Sequence, residues 1–437
     1  MKDVLLISPP YMKLSYPEYK MPLALTKGCK YMNPGLLISS SVLSELNIPN
    51  KIIKVNDFSK QEIDKMYNEI LDNTAMVGIS CTCAWEYLES LKIAKLIKNY
   101  NKNIKIVLSG WQVKSIGKKV FEDSEFIDYI IIGDAEYSIL ELYQAIVENQ
   151  DVKIPTVFSK DTKYENIRPP RVSFRELDFT KFPNYKEYIP YVEESRNCPF
   201  NCSFCLNSCV NDYYQCVPFE VFKSNVDHIE KVYGKNCEAI LLAANFGVNY
   251  EETKKKLEYL KTKNISWNIE LHIDNPWEYY IEDLKAAGIN KVSIGFESGS
   301  PKVLKMMHKT QNPTKYLFRA KRLLRELNKQ GIKPSLNLLI DYREDCETLS
   351  ETLMFLNENR DFIKKVKGNF MFAFEGFVSN LENYDQINMI SDNYSKKIHA
   401  FPVLPKDMTI EKISCIIDEI EAGNYSLDII KEFKINN

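Results

Sequence analysis

Short apolar runs recur through the first third of the chain, and longer stretches with helical periodicity fall between them. The runs are Val4–Ser8, Lys51–Val55, Met76–Ser80, Lys105–Ser109 and Tyr129–Gly133, and the periodic stretches are Pro34–Leu46, Ala84–Tyr100 and Glu136–Ile146. This alternation predicts a Rossmann-like α/β domain over residues 1–150, a parallel sheet flanked by helices. Ligands of such sheets bind beyond the carboxyl ends of the strands. Those ends read Ser8-Pro-Pro-Tyr11, Ser80-Cys-Thr-Cys83, Ser109-Gly-Trp-Gln112 and Gly133-Asp-Ala-Glu136.

Residues 151–189 lose the alternation. Ile167-Arg-Pro-Pro-Arg171 and Phe182-Pro-Asn-Tyr185 are rich in turn formers, which predicts a linker. The pattern resumes over 190–375, with strands expected at Tyr191–Glu194, Ala239–Ala243, Trp267–His272, Lys291–Gly295, Ser335–Ile340 and Gly368–Phe374. Helices are expected at Phe219–Tyr233, Glu251–Leu260, Tyr280–Ala287, Thr314–Gln330 and Thr348–Asn357, the fourth opened by an Asn312-Pro313 cap. Six such units make a partial (β/α)6 barrel, whose site belongs at the carboxyl ends of its strands. Residues 376–437, with a helix over Ile410–Ala422 and another from Leu427, are expected to form a small C-terminal cap closing the barrel mouth.

The sharpest chemical signal is Ser195-Arg-Asn-Cys-Pro-Phe-Asn-Cys-Ser-Phe-Cys205, directly after the first barrel strand. It places Cys198, Cys202 and Cys205 in a C-x3-C-x2-C array. Three thiolates suit a 4Fe–4S cube and leave one iron open to a small chelating molecule. A closed zinc site is the alternative, with Cys209 or Cys216 as fourth ligand.

This loop resembles the cluster loop of the radical S-adenosylmethionine (SAM) superfamily. The resemblance implies that SAM occupies the open iron and is cleaved there by one electron to a 5′-deoxyadenosyl radical. It sets Phe204 against the adenine, and Glu297 and Ser298 of Gly295-Phe-Glu-Ser-Gly-Ser300 against the ribose or carboxylate. Asn245, His272 and Asn337, at the ends of other barrel strands, are further expected SAM contacts. A helix start capped by Ser298 or Ser300 is the plainer reading of the glycine-serine motif. Arg343, in the loop after the fifth strand, is a candidate for an anionic substrate group.

The first 150 residues resemble the cobalamin-binding domain of the cobalamin-dependent class of this superfamily. The likeness runs through Pro34-Gly-Leu-Leu, Val77-Gly-Ile-Ser80, Ser109-Gly-Trp-Gln112 and Ile132-Gly-Asp-Ala-Glu136. It implies cobalamin contacts from Ser80, Thr82, Gly110, Trp111, Gln112, Gly133 and Glu136. All four histidines (His228, His272, His308, His399) follow the cluster loop, so no histidine of this domain can ligate cobalt from below. A Rossmann-like domain kept for packing or substrate contact is the alternative.

Composition narrows the class without choosing within it. Over 437 residues the hydrophobic fraction is 45%, the charged fraction 27% and the net charge −2, which argues against a nucleic-acid or anionic-membrane surface. No apolar run is long enough to span a bilayer, and Met1-Lys-Asp-Val has no signal-peptide character. Eleven cysteines without an export signal point to a reducing, cytoplasmic setting and metal chemistry. The reading that emerges is methyl transfer to an unactivated carbon of a peptide or small molecule, fed by a one-electron reductant such as flavodoxin or ferredoxin. A radical cyclisation, epimerisation, rearrangement or oxidation without methyl transfer is the alternative. In an epimerase, Cys346 would return the hydrogen atom.

Overall fold

The computed structural model describes residues 2–10, 31–56, 59–69, 73–163, 174–209, 213–375, 387–406 and 408–434. Tyr11 and the Ile167–Arg171 proline run fall outside them, as does the side chain of Cys209. The first sheet contains β1 (Asp3–Ser8), β2 (Asn50–Lys54), β3 (Thr74–Ser80), β4 (Lys105–Ser109), β5 (Tyr129–Ile131) and β6 (Val157–Phe158). Its order is β2-β1-β3-β4-β5-β6, parallel up to the antiparallel last strand. The near-continuous apolar runs are what a parallel sheet buried on both faces requires. Leu5, Ile7, Val77 and Ile79 line one face, while Val4, Leu6 and Met76 line the other.

After β7 (Tyr191–Glu193), a two-stranded hairpin of β8 (Ser195–Arg196) and β9 (Gln215–Cys216) precedes the rest of the barrel. The barrel continues with β10 (Glu238–Leu242), β11 (Ser266–His272), β12 (Ile289–Glu297), β13 (Ser335–Ile340) and β14 (Lys365–Phe374). Beyond β14 the same sheet takes on β15 (Asn388–Met389) and β16 (Ala400–Leu404), both antiparallel to their neighbours. The order β15-β16-β14-β13-β12-β11-β10-β7 thus holds the six expected parallel strands. The C-terminal segment is woven into this sheet rather than set apart from it.

Its helix Asn393–Ile398 reaches the N-terminal domain, where Tyr394 and Ile398 pack on Ala84 and Trp85. There His399 bridges two carboxylates, Nε2 to Asp123 Oδ2 at 2.7 Å and Nδ1 to Glu375. Described residues of the segment expected as a linker also belong to the core. Leu177, Phe179 and Phe182 are buried in a hydrophobic cluster continuous from Val4 and Leu36 of the first domain to Trp267 and Leu336 of the barrel. β6 lies in that segment too, unseen in the sequence because two residues carry no periodicity.

One expected helix differs. Tyr280–Ala287 instead follows two 3-10 turns, Trp277–Tyr279 and Ile281–Asp283. Trp277 and Tyr280 are both fully buried, and their three-residue spacing pins successive tight turns before Gly288 ends the segment at φ 82°. Asn312 does cap its helix, accepting from Lys315 N at 3.0 Å.

Gly110 sits at φ 118°, and a Cβ there would lie 2.2 Å from the Cys81 carbonyl oxygen. The Gly110→Ala variant therefore combines strained backbone with a backbone clash. It is expected to lose about 2 kcal/mol or more of stability, measurable as a lowered denaturation midpoint.

Candidate active site

The cluster loop hangs from the β8–β9 hairpin, and a buried lysine fastens its base. Lys256, 1% exposed, donates from Nζ to the Glu194 carbonyl at 2.8 Å, to Glu194 Oε1 at 3.3 Å and to Cys216 Sγ at 3.2 Å. It joins the two ends of the loop, so Cys216 serves as a structural thiol. Within the loop, Ser208 Oγ donates to the carbonyls of Cys202 and Cys205, and Ser203 N bonds to the Met307 carbonyl at 2.9 Å.

Cys198, Cys202 and Cys205 lie close enough to influence one another electrostatically, with the Lys309 ammonium beside Cys198 and Cys202. Burial pushes the Cys202 thiol up to about 12, while Lys309 pulls it back. Iron would have to displace that proton. Among the described residues no three His, Cys, Asp or Glu side chains converge to hold a single metal ion. A cube asks for something else: one thiolate per iron, with the sulfurs standing around a space.

The polar ends of the barrel strands surround these thiols. The His272 imidazole stacks on Phe200 of the loop, centroids 4.0 Å apart. Its Nδ1 accepts from Asp274 N at 3.1 Å, which puts the ring proton on Nε2. Nε2 is buried without a hydrogen-bond partner among the described residues, only the backbone of Lys309 lying nearby. Burial, with the Lys309 charge, holds His272 well below the ordinary histidine range, so it is a neutral donor. Asn245 is tied down: Oδ1 accepts from His272 N at 3.1 Å and Nδ2 donates to Asn275 Oδ1 at 2.9 Å. Its side chain also reaches the Cys198 sulfur.

Lys309, which the sequence reading missed, is the charged centre of the site. It is 4% exposed, and its Nζ donates to Glu297 Oε1 at 3.1 Å and stands 5.9 Å from the Phe204 ring centroid. Burial pulls its pKa down, yet Glu297 and the cysteines outweigh this and leave it raised. Glu297 holds φ 65°, rare for a residue with a side chain, at the end of β12. Gly295 makes room for the pair: a Cβ there would lie 2.9 Å from Glu297 Oε1 and 3.0 Å from Lys309 Nζ.

Ser298 points the other way. Wholly buried, its hydroxyl donates to Glu344 Oε1 at 3.2 Å and accepts from Ser300 N at 3.1 Å, so it braces the turn. Arg343 is likewise engaged, gripping Asp341 with Nε at 2.7 Å and Nη2 at 2.8 Å and the Met306 carbonyl with Nη1 at 2.7 Å. Asn337 is half-buried on β13, and Cys346 is the first residue of the helix Cys346–Glu358.

At the strand ends of the first sheet the expected residues divide. Thr82 donates from N and Oγ1 to Glu86 Oε2 at 2.6 and 2.7 Å, bracing its loop. Gln112, 1% exposed, donates from Nε2 to the Ile398 carbonyl at 2.8 Å. Glu136 is ion-paired to Arg196. Ser80 accepts from Asn33 Nδ2 at 2.8 Å. Trp111 is half-buried beside Lys114, and Gly133 turns the chain at φ 97°.

The Glu136 contact joins the two domains. Arg196, two residues before Cys198, donates to both oxygens of Glu193 at 2.7 and 2.8 Å, to Asp134 Oδ2 at 3.2 Å and to Glu136. The carboxyl ends of β5 and β7 therefore meet at one guanidinium.

Glu344 gives a pH signature. Burial raises it to about 8, and its Oε2 has no partner among the described residues. The folded protein thus holds a proton that the unfolded chain releases near 4.5. Its contribution to stability is complete below about 4.5 and is lost as pH rises towards 8. Glu344→Gln keeps the protonated shape, so its thermal stability should fall less than the wild type's between those values in a melting series.

Residues 192–356 match the model of the Radical SAM superfamily. An uncharacterized methyltransferase of Pyrococcus horikoshii is 26% identical over 254 residues, 54% of this chain and 55% of that protein, so the match spans about half of that relative. The bacteriochlorophyllide d C-8(2)-methyltransferase of Chlorobaculum tepidum is 24% identical over 367 residues, 75% of this chain and 76% of that one. Among solved structures, the radical SAM methyltransferase TsrM from Kitasatospora setae, with cobalamin and a 4Fe–4S cluster bound, aligns with a TM-score of 0.71. It covers 90% of this chain and 81% of its own at 15% identity, a likeness of fold. Residues 192–356 thus form a radical SAM domain, and the chain as a whole shares its α/β fold with the cobalamin-bound TsrM structure.

Proposed function

We propose that the protein is a cobalamin-dependent radical SAM methyltransferase acting on an unactivated carbon of a small molecule or peptide. The observation that carries this reading is the meeting of the two sheets' carboxyl ends at Arg196. Each end is where its fold binds a cofactor, so a methyl donor in one domain and a radical source in the other would face a common space. The relatives named as methyltransferases favour methyl transfer over the other radical reactions. TsrM has also been solved with tryptophan and a SAM analog bound, which favours a small-molecule substrate.

The chain's own groups fit these cofactors. Cys198, Cys202 and Cys205 supply soft thiolates for a 4Fe–4S cluster, with the ammonium of Lys309 beside them to offset its negative charge. Bound there, the cluster supplies the electron that cleaves SAM to a carbon radical, and cobalamin supplies the methyl group. Lys309 and the Nε2–H of His272 are the buried donors available to the SAM carboxylate, with Asn337 as a further polar contact. Phe204 offers a ring to the adenine. Glu297 orients Lys309, while Asn245 and Ser298 hold the strand ends that carry these groups. In the first domain Ser80, Gly110, Trp111 and Gly133 would line the corrinoid site. Thr82, Gln112 and Glu136 shape it through the contacts described above. The first domain has no histidine to offer the cobalt.

No helix of the described residues is long and apolar enough to cross a membrane. We further propose a cytoplasmic enzyme reduced by a flavodoxin or ferredoxin, as the family resemblance implies, and the net charge of −2 fits a protein without a nucleic-acid partner.

Incubating reconstituted enzyme with SAM and reductant should yield both S-adenosylhomocysteine and 5′-deoxyadenosine, read by mass spectrometry. Deoxyadenosine alone would sink the methyl-transfer reading and bring back the alternative. Lys309→Met should still assemble the cluster but bind SAM about tenfold or more weakly in a titration, because a charge-assisted contact is lost. Cys346→Ala should leave turnover within about twofold of wild type. A variant dead at hydrogen return would point to epimerisation instead.

A further inference from the structure

The carboxyl end of β12 is broken, and the break is held from outside the barrel. Its register against β13 shifts between Gly295 and Glu297, and Glu297 takes a left-handed φ of 65°. A bulge of this kind re-aims one side chain, and a strained residue persists only where its surroundings fix it. The carboxylate aimed here is the one that accepts from Lys309 Nζ at 3.1 Å.

Tyr316 meets the break. Fully buried on the helix Pro313–Lys329, it directs its hydroxyl to the Gly295 carbonyl at 2.9 Å and the Phe296 carbonyl at 3.2 Å. These are the two peptide oxygens immediately before Glu297, so one O–H shared between them fixes the backbone that leads into it. The same ring stands edge-on to His272, with centroids 6.0 Å apart and planes at 68°.

Arg319 lies three residues on, hence on the same helix face, and does for β11 what Tyr316 does for β12. Its Nε donates to the Ile273 carbonyl at 3.1 Å and its Nη2 to the Asn275 carbonyl at 2.5 Å. Glu278 takes Nη1 at 2.6 Å and Nη2 at 3.0 Å, which fixes the guanidinium plane. Between the two strand ends, Thr310 Oγ1 donates to Asp274 Oδ2 at 2.6 Å, and the Asp274 N–H is the one that His272 Nδ1 accepts. Lys309 precedes Thr310 and His272 precedes Ile273, so both buried donors sit one residue from a contact that ties these ends together. The Tyr316 hydroxyl and the Arg319 guanidinium are themselves engaged by carbonyls and by Glu278, and so act through other residues.

We propose that Tyr316 and Arg319 are positioning residues for SAM: Tyr316 sets Glu297, and through it Lys309, while Arg319 sets the end of β11 that presents His272. The proposal rests on the radical SAM reading, in which Lys309 and His272 are the donors available to the SAM carboxylate. Two donors serve one carboxylate only if their separation is held, and one helix touching both strand ends holds it.

The test is equilibrium titration of SAM into the anaerobically reconstituted holoenzyme, with cluster absorption measured in every preparation. Tyr316→Phe keeps the ring and removes the hydroxyl; it should retain the wild-type cluster absorption and bind SAM about fivefold or more weakly. In a Lys309→Met background the same change should alter affinity by less than about twofold, because the hydroxyl acts through Lys309. Arg319→Lys keeps the charge but loses the fork. It too should weaken SAM binding, with less than about twofold further effect in a His272→Phe background. The assignment is overturned if both single variants bind SAM as wild type does, if the losses multiply in the double variants, or if both single variants fail to assemble the cluster, which would make them supports of the fold alone. A wild-type holoenzyme that binds no SAM would remove the radical SAM reading together with the assignment, whereas wild-type binding with unaffected variants would remove the assignment alone.

Discussion

The arrangement of the site depends on the buried guanidinium of Arg196. It takes both oxygens of Glu193, the residue at the end of β7, and reaches Asp134 and Glu136 beyond β5. An arginine suits this place because its planar fork can serve several carboxylates at once. It stands two residues before Cys198, so a loop with few contacts of its own takes its position from two rigid sheets. Lys256 performs the matching task on the far side, joining Glu194 and Cys216. Removing either cation would leave carboxylates buried without a partner, which costs far more than the pair contributes in net stability.

Much of this architecture is legible in the sequence because parallel strands buried on both faces must be apolar throughout. Lys105–Ser109 and Ser335–Ile340 fall where their composition puts them. The cysteine loop is legible for a different reason, since its ligands are local and their spacing is set by one turn of chain. What escapes is non-local. Glu136 reads as a cofactor contact in sequence, yet it lies 60 positions from the arginine it meets. Ser298 carries the family motif, but its hydroxyl faces Glu344, 46 residues on. Lys309 has no local signature at all, and only the fold brings it to Glu297. The Tyr280–Ala287 segment failed for a tertiary reason as well, because two buried aromatics three residues apart outweigh helical propensity.

The site combines neutral and charged donors in a way that matches its task. His272 is kept neutral by burial and offers one N–H, while Lys309 is kept charged by Glu297 and the thiols. The C-terminal segment adds strands to the barrel sheet and docks on the first domain through His399, a second junction of the two domains besides Arg196.

The claim at the centre of this account is that the first domain holds a corrinoid facing the cluster. Anaerobic reconstitution with iron, sulfide and hydroxocobalamin, followed by desalting and an absorption spectrum, measures it directly. The account predicts a corrinoid band retained at near one equivalent together with the cluster absorption, and its loss in Arg196→Met. A clean cluster spectrum with no retained corrinoid would contradict it.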